Sequence, residues 1–542
     1  MFIKMRQKVE FYTWAERIAS ELKKRKVKKH VVHGMWTPSG YFHLGNSRTE
    51  IFTPAIAAEA LKDAGLKTEF NLFFDDFDDF DKIPAGVKVD KKKFERHLGL
   101  PLREVPSPSP KYKNWAEYFE RQIVEVVDKF GVKPNFVSSY DSYKHGKYDK
   151  AIKIVLEKAE EVSNIWEEVA GKRPKGIPIM AICEKCGRGL TTLSTEYDGT
   201  FLHYSCDQES KGIMGCGYSG KIKPEKGNAK LHWRLHWPAT WMIFGTTFES
   251  GGKDHFTPGG SADTGKAFAE KIFGIQPPLL VGTDFLNVDG KKMAGSVGNV
   301  ISIADWLEFA EPELLRFMYV TSPPRKVINF DLTTNKFFLL ADKYDKAERI
   351  YFGKLTERDK QENEKRLEQL KRQYKISQIN LPKKMPVQLS YSYAVVIAQT
   401  RDVGNKKEVL SVLKSLGYEK IDAASEKRIF NRVKLAKAWI DKYAPETVKI
   451  KVVEKVSAEV KKSLSKGQKT AIKDLIEILK KKLDGDKLQY GIYEISKKHN
   501  IQPKEFFELL YGIILNKHQG PRLGPFIIAI GIEKVKKLLS QI

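Results

Sequence analysis

The turn at residues 37–46 constrains the fold of this chain more than any other segment. It follows an apolar β-branched run that contains Val31 and Val32, and it leads into apolar residues that recur at helical spacing through Ile51 and Leu61. A turn between a strand and a helix presents a helix N-terminus, whose unpaired N–H groups and dipole favour an anion such as phosphate. The sequence therefore predicts a phosphate-binding turn at one edge of an α/β sheet.

A second strand is predicted at 68–74, and an acidic run at 75–81 follows it directly. Because a βαβ crossover is right-handed, the two strands should be parallel, with the acidic run at the carboxyl edge where ligands bind. We predict an α/β catalytic domain with a Rossmann-like, doubly wound parallel sheet. Further strands are expected at 135–139 and 278–281. The sheet pattern is expected to resume at 230–238, with a turn at 251–255 and a helix at 264–273.

A basic loop with a glycine and a hydroxyl, residues 291–296, lies past the midpoint of the chain. Such a loop is suited to stabilising the negative charge that develops on departing phosphates. In the earlier turn, Gly40 and Gly45 stand where the backbone must approach a ligand, and His43 and Asn46 can donate to phosphate oxygens. Together the two segments predict a binding site for ATP.

The 542 residues are too many for one hydrophobic core, so we expect several domains. Residues 1–330 are predicted to form the catalytic domain, with an irregular Lys- and Pro-rich insertion at 82–113 and a cysteine module at 176–222. A helical connecting region is predicted at 331–395. An all-helical domain is predicted at 396–542, because no convincing strand pattern occurs there.

The charge of the chain indicates a polyanionic partner. It has 94 Lys and Arg against 68 Asp and Glu, a formal net charge of +26. A surplus of this size favours nucleic acid through counterion release, although a lysine-rich surface of the kind found in thermophiles is an alternative. No run of about 18 apolar residues occurs. We therefore expect a cytoplasmic protein with no membrane partner, and a monomer is favoured although the sequence does not fix the oligomeric state.

All four cysteines fall in one short window with the spacing C-x2-C-x19-C-x9-C. Two close pairs suit a single tetrahedral zinc ion, and four thiolate ligands would leave no open position for water. We predict one structural Zn²⁺ rather than unligated core thiols. The ligands would be Cys183, Cys186, Cys206 and Cys216.

Two segments resemble the paired signatures of class I aminoacyl-tRNA synthetases: His43-Leu-Gly-Asn46 and Lys292-Met-Ala-Gly-Ser296. More closely, the chain is similar to the archaeal-type class I lysyl-tRNA synthetase family. The similarity extends over nearly the whole chain and is carried by segments that occur in order, at 37–40, 75–76, 233–238, 252–255, 263–265, 298–300, 348–353, 442–446 and 520–523.

This resemblance implies an enzyme that forms lysyl-adenylate and pyrophosphate from lysine and ATP, and then transfers lysine to the terminal adenosine of tRNA(Lys). Magnesium on the ATP is expected. The implied catalytic residues are His43, Asn46, Lys292 and Ser296. The implied ATP contacts are Pro38, Ser39, Gly40, His43, Gly45, Asn46, Lys291 and Lys292.

The lysine ammonium requires a carboxylate or an aromatic face. The candidates for amino-acid binding are Thr37, Asp75, Asp76, Trp233, Asp254 and His255. A solvated acidic loop is the alternative interpretation of the carboxylates. We expect Asp75 and Asp76, at the end of a strand, to be the functional pair.

The chain departs from the family pattern at several positions. Ala294 and Val297 replace a serine and a lysine of the basic loop, and Gly282 replaces a tyrosine of the amino-acid pocket, which predicts a larger pocket. His236 and Thr240 replace an aspartate and an arginine. Two alternatives therefore stay open: a class I enzyme for another amino acid, and a tRNA-binding paralogue with impaired catalysis.

By resemblance, region 331–395 contacts the tRNA stem and domain 396–542 binds the anticodon. Cationic and aromatic side chains there could contact phosphates and unpaired bases. The candidates are Arg428, Arg432, Trp439 and Arg522. For Trp439 a core position is favoured, because Val433, Ala436 and Ile440 share its helical face.

Overall fold

The computed structural model describes residues 11–292, 300–333, 336–418, 421–446 and 448–542. The chain divides into two compact units. The sheet unit comprises Met1–Trp306, Leu315–Phe330 and Glu357–Leu381, and the helical unit comprises Leu307–Leu314, Asp331–Thr356 and Pro382–Ile542. The chain passes from the sheet unit to the helical unit after residue 330, which is where we predicted the end of the catalytic domain. The predicted connecting region 331–395 is divided between the two units.

A parallel sheet of five strands forms the centre of the sheet unit: β1 (His30–Trp36), β2 (Thr68–Phe74), β3 (Asn135–Ser138), β4 (Phe248–Gly252) and β5 (Leu279–Thr283). Their spatial order is β5-β4-β1-β2-β3. The order of connection reverses between β1 and β4, and ligands of such sheets bind outside the carboxyl ends of the strands at that point. The predicted fold class is confirmed.

β1 lies in the middle of the sheet, and all seven of its residues are buried. Val32 pairs with Phe70 of β2 on one side and with Phe248 of β4 on the other. A parallel strand covered on both faces reads as a nearly continuous apolar run rather than an alternating one. This burial explains why the sequence around Val31 and Val32 predicts the strand.

The first helix begins with a capping box that the local sequence dictates. The Thr13 hydroxyl accepts the Glu16 N–H, and the Glu16 carboxylate accepts the Thr13 N–H. The α-helices as far as residue 377 are Trp14–Leu22, Leu44–Asn46, Thr53–Asp63, Lys91–Glu95, Trp115–Val124, Ser139–Lys144, Asp149–Glu157, Ala159–Ala170, Trp233–Phe244, Ser261–Lys271, Ile303–Phe309, Pro312–Thr321, Lys336–Tyr351 and Glu364–Ser377. The segment Ser47–Phe52 is a π-helix, and short 3₁₀ turns lie at Leu102–Glu104, Val127–Phe130, Lys253–Phe256 and Asp359–Gln361.

The sheet pattern predicted at 230–238 is wrong for most of that segment. Ala229–Leu231 forms a short strand, which pairs antiparallel with Ile179–Ala181, and a helix covers Trp233–Phe244. The aromatic residues that resemble a buried strand instead line the inner face of this helix. The following strand β4 takes up the first two residues of the turn predicted at 251–255, and the 3₁₀ turn Lys253–Phe256 takes up the rest. The helix Ser261–Lys271 lies close to its predicted position.

The cysteine module is built from short antiparallel strands. Leu193–Tyr197, Leu202–Cys206 and Tyr218–Ile222 form one sheet, and Glu209–Ser210 and Ile213–Met214 form a hairpin. Elsewhere in the sheet unit, Leu286–Val288 pairs with Ile328–Phe330 and with Lys291–Lys292. The predicted insertion at 82–113 is mostly irregular, with two short helical turns.

In the helical unit, every regular element among the described residues is a helix, as predicted for 396–542. Its longest helix, Ala423–Lys442, begins at Asp422, whose carboxylate accepts the Ser425 N–H. The helices after residue 390 are Tyr391–Thr400, Lys406–Ser415, Ala423–Lys442, Ala458–Ser463, Lys466–Ile478, Gly485–Lys498, Pro503–Leu515, Leu523–Ile530 and Ile532–Leu539. None of the helices in the described part of the chain combines the length and apolarity that a bilayer crossing requires.

Candidate active site

The predicted turn joins β1 to a helical segment at the carboxyl edge of the sheet. His43 caps that segment: its Nδ1 accepts the Asn46 N–H at 3.2 Å, while Asn46 Oδ1 accepts the His43 N–H at 3.3 Å. Because Nδ1 is an acceptor, the proton of the neutral ring is on Nε2. The turn therefore holds an imidazole N–H donor and a side-chain amide in fixed orientations.

Gly45 has a packing role that the sequence does not reveal. A Cβ at this position would lie 2.9 Å from His43 Cε1, so any side chain would push the imidazole ring away. At Gly40 an added Cβ would lie 3.3 Å from Pro84 Cγ, which is a milder conflict. At both positions, the expected approach of the backbone to a ligand stays a prediction. The need for glycine at position 45 has a different cause, because the His43 ring occupies the space that a side chain would take.

The first part of the turn, from Thr37 and Pro38 to Ser39 and Gly40, follows β1 without regular structure. The Ser39 carbonyl accepts Trp115 Nε1–H at 3.2 Å, which fixes the turn against the following layer of helices. These four residues lie at the carboxyl end of β1, beside the point where the order of the strands reverses. Their predicted contact with ATP is consistent with this position and stays a prediction.

The basic loop begins beside the same turn. The backbone of Lys291–Lys292 pairs antiparallel with Leu286–Val288. Ser296, with Ala294 and Val297, lies outside the described residues. The chain is described again from residue 300, and the Leu44 N–H of the histidine turn donates to the Ile301 carbonyl at 2.9 Å. The segment that follows the basic loop along the chain is therefore joined to the histidine turn.

Arg48 is a structural residue of this site that sequence reasoning missed. Its side chain is 1% exposed and donates to three backbone carbonyls at 2.8–3.0 Å, those of Asp284, Pro323 and Lys326. Tyr319 adds a hydrogen bond from its hydroxyl to the Leu44 carbonyl at 2.8 Å. The partners of Arg48 lie more than 230 residues further along the chain, so no local pattern could have indicated them.

Asp76 is not placed to bind a ligand ammonium, which corrects the prediction for this residue. Its carboxylate accepts Arg103 Nε–H at 2.5 Å, the Ser138 hydroxyl at 2.6 Å and the Tyr140 N–H at 2.8 Å. The side chain is fully buried. Its hydrogen-bonding capacity is used to join β2, the insertion and the segment after β3.

Asp75 is buried beside a lysine of the chain itself. Its Oδ1 lies 3.6 Å from Lys230 Nζ and 3.9 Å from His236 Nε2. Burial raises the pKa of Asp75 to about 7, although the Lys230 ammonium opposes the shift. The Tyr143 hydroxyl accepts the Leu231 N–H and faces His236 Nδ1 at 2.9 Å, so it donates to that nitrogen and directs Nε2–H toward Asp75.

An aromatic cluster lies at the start of the helix Trp233–Phe244. The rings of Trp233 and Trp237 stack at 5.4 Å, and His255 lies 5.7 and 5.6 Å from them. The Nε1–H of Trp233 is buried with no acceptor among the described residues, so it is available to a ligand. Asp254, in contrast, is exposed. Of the predicted amino-acid contacts, Trp233 and His255 are neighbours, while Thr37 and Asp75 each directly follow the carboxyl end of a strand of the central sheet.

The larger pocket predicted at Gly282 is wrong. A Cβ at Gly282 would lie 3.1 Å from Phe256 Cδ2, so the Phe256 ring already covers this glycine. The same ring lies 3.5 Å from the position of a Cβ on Gly251. Two neighbouring strands therefore carry glycine where Phe256 packs, and the aromatic lining is supplied by another segment.

Glu249 on β4 supports this cluster through Trp241, whose Nε1–H donates to its carboxylate at 2.6 Å. Burial raises the pKa of Glu249 to about 7. A raised pKa stabilises the fold below about pH 4, and the contribution is lost as the pH rises through 7. The free energy of unfolding of Glu249→Gln should therefore depend less on pH than that of wild type. Near pH 8 the variant should gain about 3 kcal/mol at most in this free energy relative to wild type.

Thermal unfolding of wild type and Glu249→Gln at about pH 5 and about pH 8 measures this difference. Glu168→Gln is the matched control, because Glu168 is an exposed carboxylate paired with Lys271. The expectation fails if Glu249→Gln and wild type lose the same stability over this interval.

The four cysteines converge on one point of the module. Their Sγ atoms all lie within 4.8 Å of one another, and the pairs Cys183–Cys216 and Cys186–Cys206 are each 3.7 Å apart. Four thiolates at the usual zinc distance of about 2.3 Å would be about 3.8 Å apart. The donor set and its spacing therefore fit a tetrahedral zinc ion.

Two of the predicted tRNA contacts are buried in the helical unit, which corrects them. Arg432 is 2% exposed and bonds Glu311 at 2.6 Å and Asp345 at 2.9 Å. Trp439 is fully buried, as the core alternative predicted, and its Nε1–H donates to the Leu332 carbonyl. Neither side chain can contact an RNA directly.

The other two predicted tRNA contacts differ in exposure. Arg428 is half-buried and forms a double hydrogen bond with Glu348 at 2.8 and 2.9 Å. This pairing uses its charge within the unit. Arg522 is exposed and pairs with Asp486 at 2.7 Å. Of the four candidates, Arg522 alone keeps an accessible guanidinium.

A parallel sheet of this order, with the histidine turn after its central strand, is the nucleotide-binding fold that the resemblance to class I synthetases predicts. The model of the family described as tRNA synthetases class I (K) matches residues 12–380, and the chain belongs to that family. The chain is also 34% identical to the lysine–tRNA ligase of Pyrococcus horikoshii, over 97% of its own length and 99% of the relative's. Its identity to the lysine–tRNA ligase of Borreliella burgdorferi is 33%, with the same coverage.

Proposed function

We propose that this chain is a lysine–tRNA ligase, which activates lysine with ATP and transfers it to the terminal adenosine of tRNA(Lys). The observation that supports the chemistry is the hydrogen bond from the Leu44 N–H to the Ile301 carbonyl, because it joins the histidine turn to the segment that follows the basic loop along the chain. The choice of lysine as the amino acid is supported by the relatives named lysine–tRNA ligase, which match nearly the full length of this chain. We infer that the enzyme works in the cytoplasm, where its substrates meet.

In the proposed first step, a carboxylate oxygen of lysine attacks the α-phosphorus of ATP in line. The new C–O–P bond forms as the bond to the β-phosphate bridging oxygen breaks, and pyrophosphate leaves. His43 Nε2–H and the Asn46 amide would donate to phosphate oxygens during the attack. Lys292 and Ser296 would stabilise the leaving pyrophosphate, together with the Mg²⁺ that accompanies ATP.

In the second step, a hydroxyl of the terminal adenosine of tRNA attacks the carbonyl carbon of the adenylate. An ester bond to the tRNA forms, and AMP leaves with the electron pair of the broken C–O bond. The chain contributes mainly by holding the two reactants in place. Cationic surface residues such as Arg522 would bind the tRNA phosphates.

For the amino acid, we propose that Asp75 faces the lysine ammonium and that Trp233 and His255 form the wall of the pocket. A carboxylate and an aromatic face both stabilise an ammonium group. The Nε1–H of Trp233 supports this assignment, because it is a buried donor without an acceptor among the described residues.

We also propose that the four-cysteine cluster holds one structural zinc ion. Cys183, Cys186, Cys206 and Cys216 would occupy all four positions of a tetrahedral ion, so the metal would supply cross-linking of the module and no chemistry at the reaction site.

The decisive measurement is ATP–pyrophosphate exchange with a panel of amino acids, each with and without tRNA. We expect exchange with lysine and with no other amino acid, and His43→Ala provides the inactive control. Exchange with a different amino acid would replace lysine in the proposal. Binding of tRNA without exchange for any amino acid would identify a catalytically impaired paralogue.

One observation favours a class I enzyme for another amino acid as the second candidate. Both predicted carboxylates already have cationic neighbours in the chain, Arg103 at Asp76 and Lys230 at Asp75. In addition, Phe256 narrows the pocket beside Gly282. An uncharged side chain would be selected if Lys230 satisfies Asp75 completely, and the amino-acid panel distinguishes the two candidates.

A further inference from the structure

We infer that an exposed tyrosine face on the helix Gly485–Lys498 stacks unpaired nucleotides of the bound tRNA; this inference rests on the proposed function. Tyr490 is 65% exposed and Tyr493 is 38% exposed. Among the described residues of the helical unit, no other tyrosine, phenylalanine or tryptophan side chain is as exposed as these two. They lie three positions apart on one helix, so their rings are neighbours on its surface.

The packing of this helix leaves the tyrosines outside the core. Leu488, Ile492 and Ile495 are buried on the inner face, and Gly491 lies against Ile478 of the helix Lys466–Ile478. The residues at 487, 490, 493, 494 and 497 occupy the opposite side. The two rings therefore lie outside the buried core of the helical unit, and adjacent exposed aromatic residues mark an interaction surface.

One lysine lies near each ring, and each of these lysines is paired with a carboxylate, Lys497 with Glu494 at 3.8 Å. Lys497 Nζ lies 4.4 Å from the centre of the Tyr493 ring, and Lys487 is one turn before Tyr490. Lys487 is exposed and pairs at 3.0 Å with Asp484, which is half-buried. Exposed ion pairs contribute little stability, so these lysines can exchange a carboxylate for a phosphate at low cost.

The occupant follows from this combination of groups. Aromatic faces that receive bases, beside cations that receive phosphates, are how proteins bind single-stranded nucleic acid. The bases of an A-form duplex are stacked on one another and do not offer their faces to side chains. The net charge of +26 favours RNA over a protein surface as the partner. The ligand class is therefore RNA with unpaired, splayed nucleotides.

The test is fluorescence anisotropy of the full chain with a labelled single-stranded RNA and with a hairpin duplex of the same number of nucleotides. Tyr490→Ala and Tyr493→Ala should each raise the Kd for the single strand about fivefold or more. Tyr490→Phe should bind like the wild type, because phenylalanine keeps the stacking face. The matched control is Leu339→Ala, which removes an exposed apolar side chain on another helix of the same unit.

Three results would overturn the inference. One is an unchanged Kd for single-stranded RNA in a variant that carries both Tyr490→Ala and Tyr493→Ala. Another is a loss of affinity in Tyr490→Phe as large as in Tyr490→Ala. The third is an equal loss for duplex and single strand, which would indicate a purely electrostatic contact. Failure of the proposed function is separate, since it is seen as missing lysine-dependent exchange in the wild type whatever the tyrosine variants bind.

Discussion

His43→Ala is expected to slow amino-acid-dependent ATP–pyrophosphate exchange by roughly 10²–10³-fold. The Nδ1 atom of His43 already accepts the Asn46 N–H, so the proton is on Nε2 and can be donated only from that side. A donor held toward charge that develops in the transition state acts on the rate rather than on ground-state binding. The measurement is the exchange rate at saturating ATP and amino acid.

Two further variants separate this donor from the helix cap. Asparagine is a favoured N-cap residue, so His43→Asn should keep the start of the helix while its shorter side chain does not replace Nε2–H. His203→Ala removes an exposed histidine of the cysteine module and should behave as wild type. Restoration of the rate in His43→Asn would contradict the donor role and leave His43 as a cap alone.

Cys183→Ser is expected to abolish zinc binding and to unfold the cysteine module. Structural zinc contributes about 10 kcal/mol or more to the folding of small metal-bound modules, far above the worth of any single hydrogen bond. Metal analysis should find one zinc per wild-type chain and none in the variant. Limited proteolysis should then cut the variant first within 176–222.

Ser205→Ala is the matched control for the cysteine variant. Ser205 is next to Cys206 on the same strand, and its hydroxyl bonds Asp207 rather than a thiol. This variant should keep its zinc and its resistance to protease. A wild-type preparation that contains no zinc, or that keeps its melting temperature under strong chelation, would exclude a structural metal.

The sequence predicts the centre of the fold well because buried parallel strands have a local signature. The strand Thr68–Phe74 is found with its predicted bounds, and β5 lies one residue from its predicted start. The helix Trp233–Phe244 was missed because its aromatic residues and Pro238 are typical of a strand followed by a turn. Its helical state is decided by packing against distant segments, which no local window contains.

The role of a site residue was predictable where a local motif determines its position. It was not predictable where a partner far along the chain determines which contacts the side chain makes. The position of His43 at a strand-to-helix turn follows from the sequence, and the structure adds its tautomer. Asp76 is occupied by Arg103, which lies 27 positions further along the chain, and Asp75 is approached by Lys230, which lies more than 150 positions further along. Arg432 likewise reads as a surface residue until Glu311 and Asp345 are placed beside it.

The anchoring of Arg48 has a consequence for the order of events during synthesis on the ribosome. The acceptors of its guanidinium belong to Asp284, Pro323 and Lys326, which are translated long after the histidine turn. A nascent chain that ends before these residues leaves the guanidinium without these three acceptors, so the segment after the histidine turn lacks the contacts that anchor it. The anchoring of this segment is therefore a late event in synthesis, because it requires residues from the second half of the chain.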